Sequence, residues 1–217
     1  MFDVQFARRQ MIEQQVRAWD VLDLEVLDAL QQVPREEFAP AHYRELAFAD
    51  TNVPIGHGQT MLAPKVEGRI LQALDVQPGD LALEVGTGTG FFAACIGRLA
   101  RSVRTIDLYA DFATGAREAF RRVGVHNVTA EVFDATQLVE RDAYDVIALT
   151  ASLPVYDARF EQALKVGGRL FVAVGTGPML EARRVTRVGP GEWARESLFE
   201  TGMAPLIHAA EPPKFRF

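Results

Sequence analysis

One run of ten residues restricts the possible folds of this chain more than any other feature. The run Leu81–Gly90, LALEVGTGTG, passes from apolar residues into three alternating glycines, and an apolar helical pattern follows it. Glycine is needed where the backbone takes a positive φ or lies close to a ligand, and the start of a helix offers unpaired N–H groups. The run therefore predicts a buried strand, a ligand-binding turn and a helix.

The rest of the chain after this run alternates between short apolar segments and helical patterns. Such alternation predicts a mainly parallel sheet with helices on both faces. Near the C-terminus, two strand patterns flank a Gly189-Pro190-Gly191 turn, which is typical of a hairpin. The predicted strands are Leu81–Val85, Val103–Asp107, Val128–Phe133, Tyr144–Leu149, Arg169–Val174, Leu180–Val188 and Trp193–Phe199, and the helices between them are Gly90–Leu99, Ala110–Val123 and Asp157–Leu164. The fold class is therefore α/β, Rossmann-like and doubly wound, with a seven-stranded sheet that ends in an antiparallel hairpin.

Residues 1–72 have helical patterns interrupted by turns. Val21, Leu24, Leu27 and Leu30 recur at the spacing of an amphipathic helix. The segment Asp50–Pro64 is polar, contains glycine and is too long for an ordinary connection, so we expect a functional loop. We therefore predict an N-terminal helical extension with this loop at 1–72, packed on the same domain as a core at 73–217.

The spacing of the glycines distinguishes two classes of cofactor. A dinucleotide motif needs glycine or alanine three positions after its second glycine, and Phe91 occupies that position. The acid at Glu84 would repel a pyrophosphate but suits the ammonium of a methionine moiety. The run therefore predicts a site for S-adenosyl-L-methionine. Its contacts would come from Glu84, Gly86, Thr87, Gly88 and Gly90.

Two further acids follow later strands. Asp107 ends the next strand, about 20 residues beyond the first glycine, where ribose hydroxyls are held. Asp134 follows the third strand, where a carboxylate accepts from the adenine amino group; Leu108 and Ala135, which follow these acids, complete the predicted cofactor contacts. A single acid of this kind is more often a helix N-cap or a surface residue. Three acids at one sheet edge beside the glycine turn favour the cofactor interpretation.

These residues, together with segments nearer the N-terminus, resemble the protein-L-isoaspartate O-methyltransferase family over most of the chain. The matching segments are Gln14–Arg17, Val26–Ala29, Val33–Pro40, Asp50–Thr60, Glu84–Gly90 and Ala173–Gly175. The segment Asp50–Thr60 looks like the family's most specific motif. The resemblance implies a class I S-adenosylmethionine-dependent methyltransferase that repairs protein by methylating the carboxylate of L-isoaspartyl residues.

The resemblance also implies roles around the methyl acceptor. It implies Thr60 at the reaction centre and Gln59 beside the cofactor. The implied substrate contacts are Ile55, Gly56, Gly58, Val174 and Gly175. This chain departs from the family at two positions: Leu62 stands where the family has a serine hydroxyl, and Phe133-Asp134-Ala135 stands where it has Gly-Asp-Gly.

The replacement of the serine by Leu62 affects the acceptor side. A carboxylate acceptor is already ionised at neutral pH, so no general base is obligatory and most acceleration should come from alignment and exclusion of water. A missing donor would cost about 2–3 kcal/mol, and an apolar group is unfavourable beside a charged acceptor. His57 is a candidate replacement donor, although a loop histidine is more often a surface or turn residue. Thr60, Leu62 and His57 are therefore the catalytic candidates.

Composition and charge argue against several other classes. A net charge of −6 argues against nucleic-acid binding, and no run of 18 apolar residues exists to span a membrane. The single cysteine, Cys95, lies in an apolar helical pattern and predicts inert packing in a reducing, cytoplasmic protein. The histidines lack ligand spacing, so no metal is predicted. Lys65 and Glu67 are expected on a solvated helix face, with Lys65 as an alternative contact for an acidic substrate.

Three functional hypotheses follow. The first is methylation of an isoaspartyl peptide or protein. The second is a methyltransferase of the same fold acting on a less polar small molecule that Leu62 would contact. The third is a cofactor-binding protein without transferase activity that serves a partner or regulatory role.

Overall fold

The computed structural model describes residues 3–213. The ends of the predicted extension and core, residues 1–2 and 214–217, lie outside the described residues.

The N-terminal region is helical. Helix α1 (Val4–Met11) continues through a π turn and a 3-10 turn to residue 19. Helix α2 (Leu24–Gln32) begins after Asp23, whose carboxylate accepts the N–H groups of the first helical turn. Leu27 and Leu30 are buried as the periodicity predicts, but Leu24 is 76% exposed. The predicted apolar face was too wide, because Leu24 is the first residue of the helix and its side chain lies outside the packed face.

The segment predicted as a long loop contains a small antiparallel hairpin. Its strands are β1 (Val53–Gly56) and β2 (Gln59–Met61), and His57 in the turn has a φ of 51°. Strands of four and three residues are too short to show an alternating pattern, so the sequence did not reveal them. Helix α3 (Pro64–Leu74) follows directly, with proline in its first turn.

The seven predicted strands form one sheet, which confirms the fold class. In chain order its elements are β3 (Leu81–Val85), α4 (Phe91–Leu99), β4 (Ser102–Asp107), α5 (Ala110–Val123), β5 (Val128–Val132), β6 (Tyr144–Leu153), α6 (Ala158–Gln162), β7 (Leu164–Val174), β8 (Leu180–Gly189) and β9 (Glu192–Thr201). The strand order is β5-β4-β3-β6-β7-β8-β9. Strands β3 to β7 are parallel, and β8 and β9 form the antiparallel end.

The strand order reverses direction at β3, since β4 and β5 lie on one side of it and β6 on the other. Open α/β sheets bind ligands at such a switch point, outside the carboxyl ends of the strands.

Two apolar clusters form the core. The larger joins Met11, Leu30 and Leu71 of helices α1 to α3 to Ile96 of α4 and Phe171 of the sheet. The helical extension therefore packs directly on the sheet domain. Cys95 is fully buried in this cluster, and burial raises the pKa of its thiol, as expected for inert packing. Among residues 3–213, no helix has the length and hydrophobicity needed to cross a membrane.

Candidate functional site

The carboxyl ends of β3, β4 and β6 open into a groove, which we call the main groove. It is bordered on one side by the hairpin and on the other by the segment 205–207. The sequence-predicted residues that line it are Ile55, Gln59, Thr60, Gly86, Gly88, Asp107, Leu108, Asp134 and Ala135.

The glycine turn forms the floor of the main groove. Gly86 has a φ of 101°, and a side chain there would overlap the Thr150 hydroxyl. That hydroxyl lies 3.0 Å from the Val85 carbonyl and 2.9 Å from the Gly86 carbonyl. Gly90 has a φ of 87°, and a Cβ there would lie 2.9 Å from Phe120. Backbone conformation and close packing therefore require glycine at both positions.

Glu84 is the most perturbed acid of the site. Its side chain is fully buried, and its Oε2 accepts the hydroxyl of Thr105, which also lies 2.7 Å from the Thr87 hydroxyl. Its Oε1 is enclosed and has no hydrogen-bond partner among residues 3–213. Burial raises the pKa of Glu84 well above its usual value, with the hydrogen bond from Thr105 opposing. An unpartnered, buried carboxylate oxygen suits a cationic donor from a ligand.

Asp107 accepts two backbone hydrogen bonds that shape the groove. Its Oδ2 lies 2.9 Å from the N–H of Gly88, and its Oδ1 lies 3.0 Å from the N–H of Tyr109. Burial raises the pKa of Asp107, and these hydrogen bonds oppose the increase. The carboxylate therefore links the glycine turn to the residues that follow β4.

Asp134 caps the 3-10 turn that follows β5. Its Oδ1 accepts the N–H and the hydroxyl of Thr136, at 2.9 and 2.7 Å, and its Oδ2 lies 2.8 Å from Nδ1 of His208. Burial acts to raise the pKa of Asp134, but hydrogen bonds from Thr136 and His208 outweigh it and the pKa is lowered. Asp134 is therefore an N-cap, as one interpretation of the sequence proposed, and it also lines the main groove.

A second cavity adjoins the main groove on the side of the hairpin. Among the residues that line it are Thr60, Leu62, Glu67, Glu84, Thr87 and Phe92. The side chain of Leu62 is buried at its wall. The position where the resemblance implies a serine therefore carries a buried apolar side chain at this wall.

The expectation that Glu67 lies on a solvated helix face was wrong. Glu67 is 2% exposed, and its Oε2 pairs with Nη1 of the fully buried Arg35. Burial raises the pKa of Glu67 to about 7, although the charge and hydrogen bond of Arg35 oppose the increase. Lys65 instead lies near the surface, 2.7 Å from Asp50 and above the ring of Trp19.

His57 lies at the tip of the hairpin. Its Nε2 is 2.9 Å from Oδ2 of Asp111, and its ring stacks on Tyr109 with 3.9 Å between centroids. These contacts hold the hairpin turn against the start of α5. The role of His57 as a donor to the acceptor stays a prediction.

The other predicted substrate residues are more dispersed. Gly56 and Gly58 give the hairpin its bend, with φ of 109° and 71°. Val174 ends β7, and Gly175 lines a neighbouring groove that shares Pro205 with the main groove.

Sequence reasoning missed several residues that line the main groove. They are Tyr109, Phe112, Phe133, Thr150, Ala151, Pro205, Leu206 and Ile207. The segment 205–207 is positioned by Ser152, whose N–H donates to Ala204 and whose carbonyl accepts the N–H of Leu206, both at 2.8 Å. The segment is irregular and follows the last strand, so no helix or strand periodicity marks it in the sequence.

The described residues contain no group of three or more His, Cys, Asp or Glu side chains arranged to hold a metal ion.

Comparison with known proteins adds independent information. The family model for protein-L-isoaspartate(D-aspartate) O-methyltransferase (PCMT) matches residues 7–210. A protein-L-isoaspartate O-methyltransferase of Koribacter versatilis is 38% identical over 201 residues, which are 92% of this chain and 90% of the relative. A protein-L-isoaspartate O-methyltransferase 2 of Pelobacter propionicus is 35% identical over 209 residues, 94% of this chain and 92% of the relative.

A solved structure has the same fold. It is a Plasmodium falciparum β-aspartate methyltransferase (PCMT) in complex with S-adenosyl-L-homocysteine, with a TM-score of 0.79 and 20% identity. The match covers 95% of this chain and 99% of that one.

Proposed function

The chain belongs to the protein-L-isoaspartate O-methyltransferase family, and from that premise we propose that it methylates L-isoaspartyl residues of damaged proteins with S-adenosyl-L-methionine. The observation that carries the proposal is the extent of the family match. It spans both halves of the site, from the hairpin through the glycine turn to the segment 205–207.

The chain's own residues fit the cofactor. We propose that Glu84 binds the methionine ammonium, that Asp107 binds the ribose hydroxyls and that Asp134 binds the adenine amino group. The enclosed, unpartnered Oε1 of Glu84 supports the first assignment. The second and third are supported by the position of both aspartates in the same groove, at successive strand ends. The related Plasmodium falciparum protein was crystallised with the demethylated product of this cofactor.

The reaction requires little acid–base chemistry from the protein. The cofactor supplies a methyl group on a positively charged sulfur, and an acceptor carboxylate is already ionised at neutral pH. We propose that Ile55, Gln59 and Thr60 of the hairpin cover the main groove, exclude water and align the acceptor. Gly56, Gly58, Val174 and Gly175 would frame the acceptor chain.

A less polar small-molecule acceptor is a second candidate. The observation in its favour is the buried side chain of Leu62 at the wall of the second cavity. An apolar wall offers no hydrogen bond to a carboxylate. In either case we propose a cytoplasmic protein, which agrees with its single, buried cysteine.

The test is methyl transfer from labelled S-adenosyl-L-methionine to an isoaspartyl peptide, with the matching aspartyl peptide as control. The parent chain and the Leu62→Ser variant are assayed together. We expect the parent to label only the isoaspartyl peptide, and Leu62→Ser to keep the parent's affinity for the cofactor product.

Three results would redirect the proposal. Turnover only with a cell extract would favour the small-molecule acceptor. Isoaspartyl activity that is present in Leu62→Ser but absent in the parent would show that the natural acceptor is something else. Cofactor binding without any turnover would favour a binding protein.

A further inference from the structure

Arg35 connects three separate segments at the back of the second cavity. Its side chain is fully buried. Its Nε donates to the carbonyl of Ala47 at 2.7 Å, its Nη2 donates to the carbonyl of Leu62 at 2.6 Å, and its Nη1 pairs with Glu67. A guanidinium with three acceptors in fixed directions has one orientation, so it also fixes the segments that supply them.

The same side chain contacts the cofactor side of the molecule. The guanidinium of Arg35 lies over the ring of Phe91, 4.6 Å from its centroid. Phe91 is the first residue of α4, directly after Gly90 of the glycine turn. Arg35 therefore lies between the wall that carries Leu62 and the turn that forms the floor of the main groove.

Glu67 completes this arrangement and lines the second cavity together with Leu62 and Glu84. Without it, the buried guanidinium would keep only the neutral carbonyls of Ala47 and Leu62 as hydrogen-bond acceptors, and a buried charge without an opposite charge is costly. The two residues are 32 positions apart in the sequence, so neither hairpin nor helix geometry alone brings them together.

We propose that Arg35 and Glu67 are a positioning pair, which sets the distance between the Leu62 wall of the second cavity and the glycine turn. The proposal rests on the proposed function, since it assigns the Leu62 side of the second cavity to the methyl acceptor, while Glu84 on the same cavity binds the ammonium of the cofactor. The rate of such a reaction depends on the alignment of the reacting groups, and a misplacement of about 1 Å lowers the rate by about 100-fold. The pair acts through the backbone of Leu62 and does not touch the reacting atoms.

The chain provides a matched control in a second Arg–Glu pair. Arg8 and Glu36 form a two-oxygen contact at 2.6 and 2.7 Å, with side chains 6% and 15% exposed. Glu36 belongs to the same 3-10 turn as Arg35, yet neither Arg8 nor Glu36 lines the main groove or the second cavity. We expect loss of this pair to remove a largely buried ion pair without moving the Leu62 wall, because neither residue contacts Leu62 or Glu67 through a hydrogen bond.

The experiment compares Glu67→Gln, Arg35→Lys and Glu36→Gln with the parent in the isoaspartyl peptide assay, at about pH 8 so that Glu67 is ionised. Thermal unfolding and the Kd of S-adenosyl-L-homocysteine are measured for each variant. We expect Glu67→Gln and Arg35→Lys to lower kcat by about 10- to 100-fold, with the Kd unchanged. In Glu67→Gln the KM for the anionic peptide should stay equal or fall, because the guanidinium loses its neutralising partner. Glu36→Gln should lower the Tm and leave kcat unchanged.

The outcomes separate the two proposals. A parent without activity on the peptide contradicts the proposed function. If the parent is active and Glu67→Gln keeps its kcat, the positioning role is contradicted. It is also contradicted if Glu36→Gln loses as much kcat as Glu67→Gln at the same Tm. If Glu67→Gln does not fold, the double variant Arg35→Met, Glu67→Met removes both charges together. A folded double variant should have a low kcat, and parental kcat in it would overturn the proposal.

Discussion

The parts of the site that we propose for the cofactor and for the acceptor, called here the cofactor half and the acceptor half, are built in different ways. The cofactor half lies at the carboxyl ends of adjacent parallel strands, where register alone brings its parts together. Glu84 of β3 is the registered partner of Thr105 of β4, the residue that donates to it. The acceptor half depends instead on side chains of the N-terminal region, and the contacts of Arg35 with Leu62 and Glu67 join positions 27 and 32 residues apart.

The difference shows which half tolerates change. A sheet edge holds the glycine turn and the strand-end acids in place whatever the acceptor is. We infer that the wall around Leu62 is positioned by a buried ion pair and a short hairpin, so leucine at the position where the resemblance implies serine should leave the cofactor half intact.

The largest effect is expected from Gly86→Ala, which should break the cofactor half. The new side chain would overlap the Thr150 hydroxyl at a φ of 101°, and strain of about 3 kcal/mol corresponds to about a 150-fold loss of affinity. Titration calorimetry with S-adenosyl-L-homocysteine measures the Kd of the parent and of the variant.

Gly115→Ala is the matched control, because Gly115 lies within α5 and a Cβ there has no neighbour within 4 Å. It should keep the parent's Kd. Equal affinities for all three proteins would contradict the role of the glycine turn.

Glu84→Gln tests the ammonium contact within the cofactor half. Loss of a hydrogen bond to a charged group costs about 1.5–3 kcal/mol, or about 10- to 150-fold in Kd. A nucleoside analogue without the amino group should bind parent and variant equally. If both ligands lose affinity to the same extent, Glu84 supports the fold of the turn and does not bind the ammonium.

The stability of the ligand-free protein should also depend on Glu84. Its pKa in the folded state is raised above the usual 4.5, so the folded protein holds a proton that the unfolded chain has lost. Stability therefore falls as pH rises from about 4.5 towards the folded pKa, by at most about 1.4 kcal/mol per pH unit from this group. In denaturant unfolding, the free energy of unfolding of Glu84→Gln minus that of the parent should increase with pH over this range, because the variant lacks this titration. A difference that decreases with increasing pH would contradict the assignment.

The smallest effect is expected from His208→Ala, at the edge of the cofactor half. The pair with Asp134 is exposed, since the His208 side chain is 57% accessible, and such pairs contribute about 0.2–1 kcal/mol. We expect the Kd to rise by at most about fivefold with an unchanged kcat. A loss as large as that of Glu84→Gln would mean that the contact between His208 and Asp134 is a main determinant of cofactor binding.

The same contrast explains what the sequence could predict. The glycine spacing and the strand alternation are local patterns, so the parallel sheet and the acids Glu84 and Asp107 followed from them. The burial of Glu67 could not be predicted, because its partner Arg35 is far away in the sequence and an acid beside Lys65 has the pattern of a solvated face. The hairpin strands were too short to recognise, and the segment 205–207 has no periodicity.

The central claim is that the nucleoside cofactor lies across the carboxyl edge of the sheet with its amino group at Glu84. A crystal structure with S-adenosyl-L-homocysteine tests it most directly. We predict the ammonium within hydrogen-bond distance of Oε1 of Glu84, the ribose at Asp107 and the adenine between Asp134 and Leu206. A ligand bound elsewhere, or an Oε1 still without a partner beside a bound ligand, would contradict the claim.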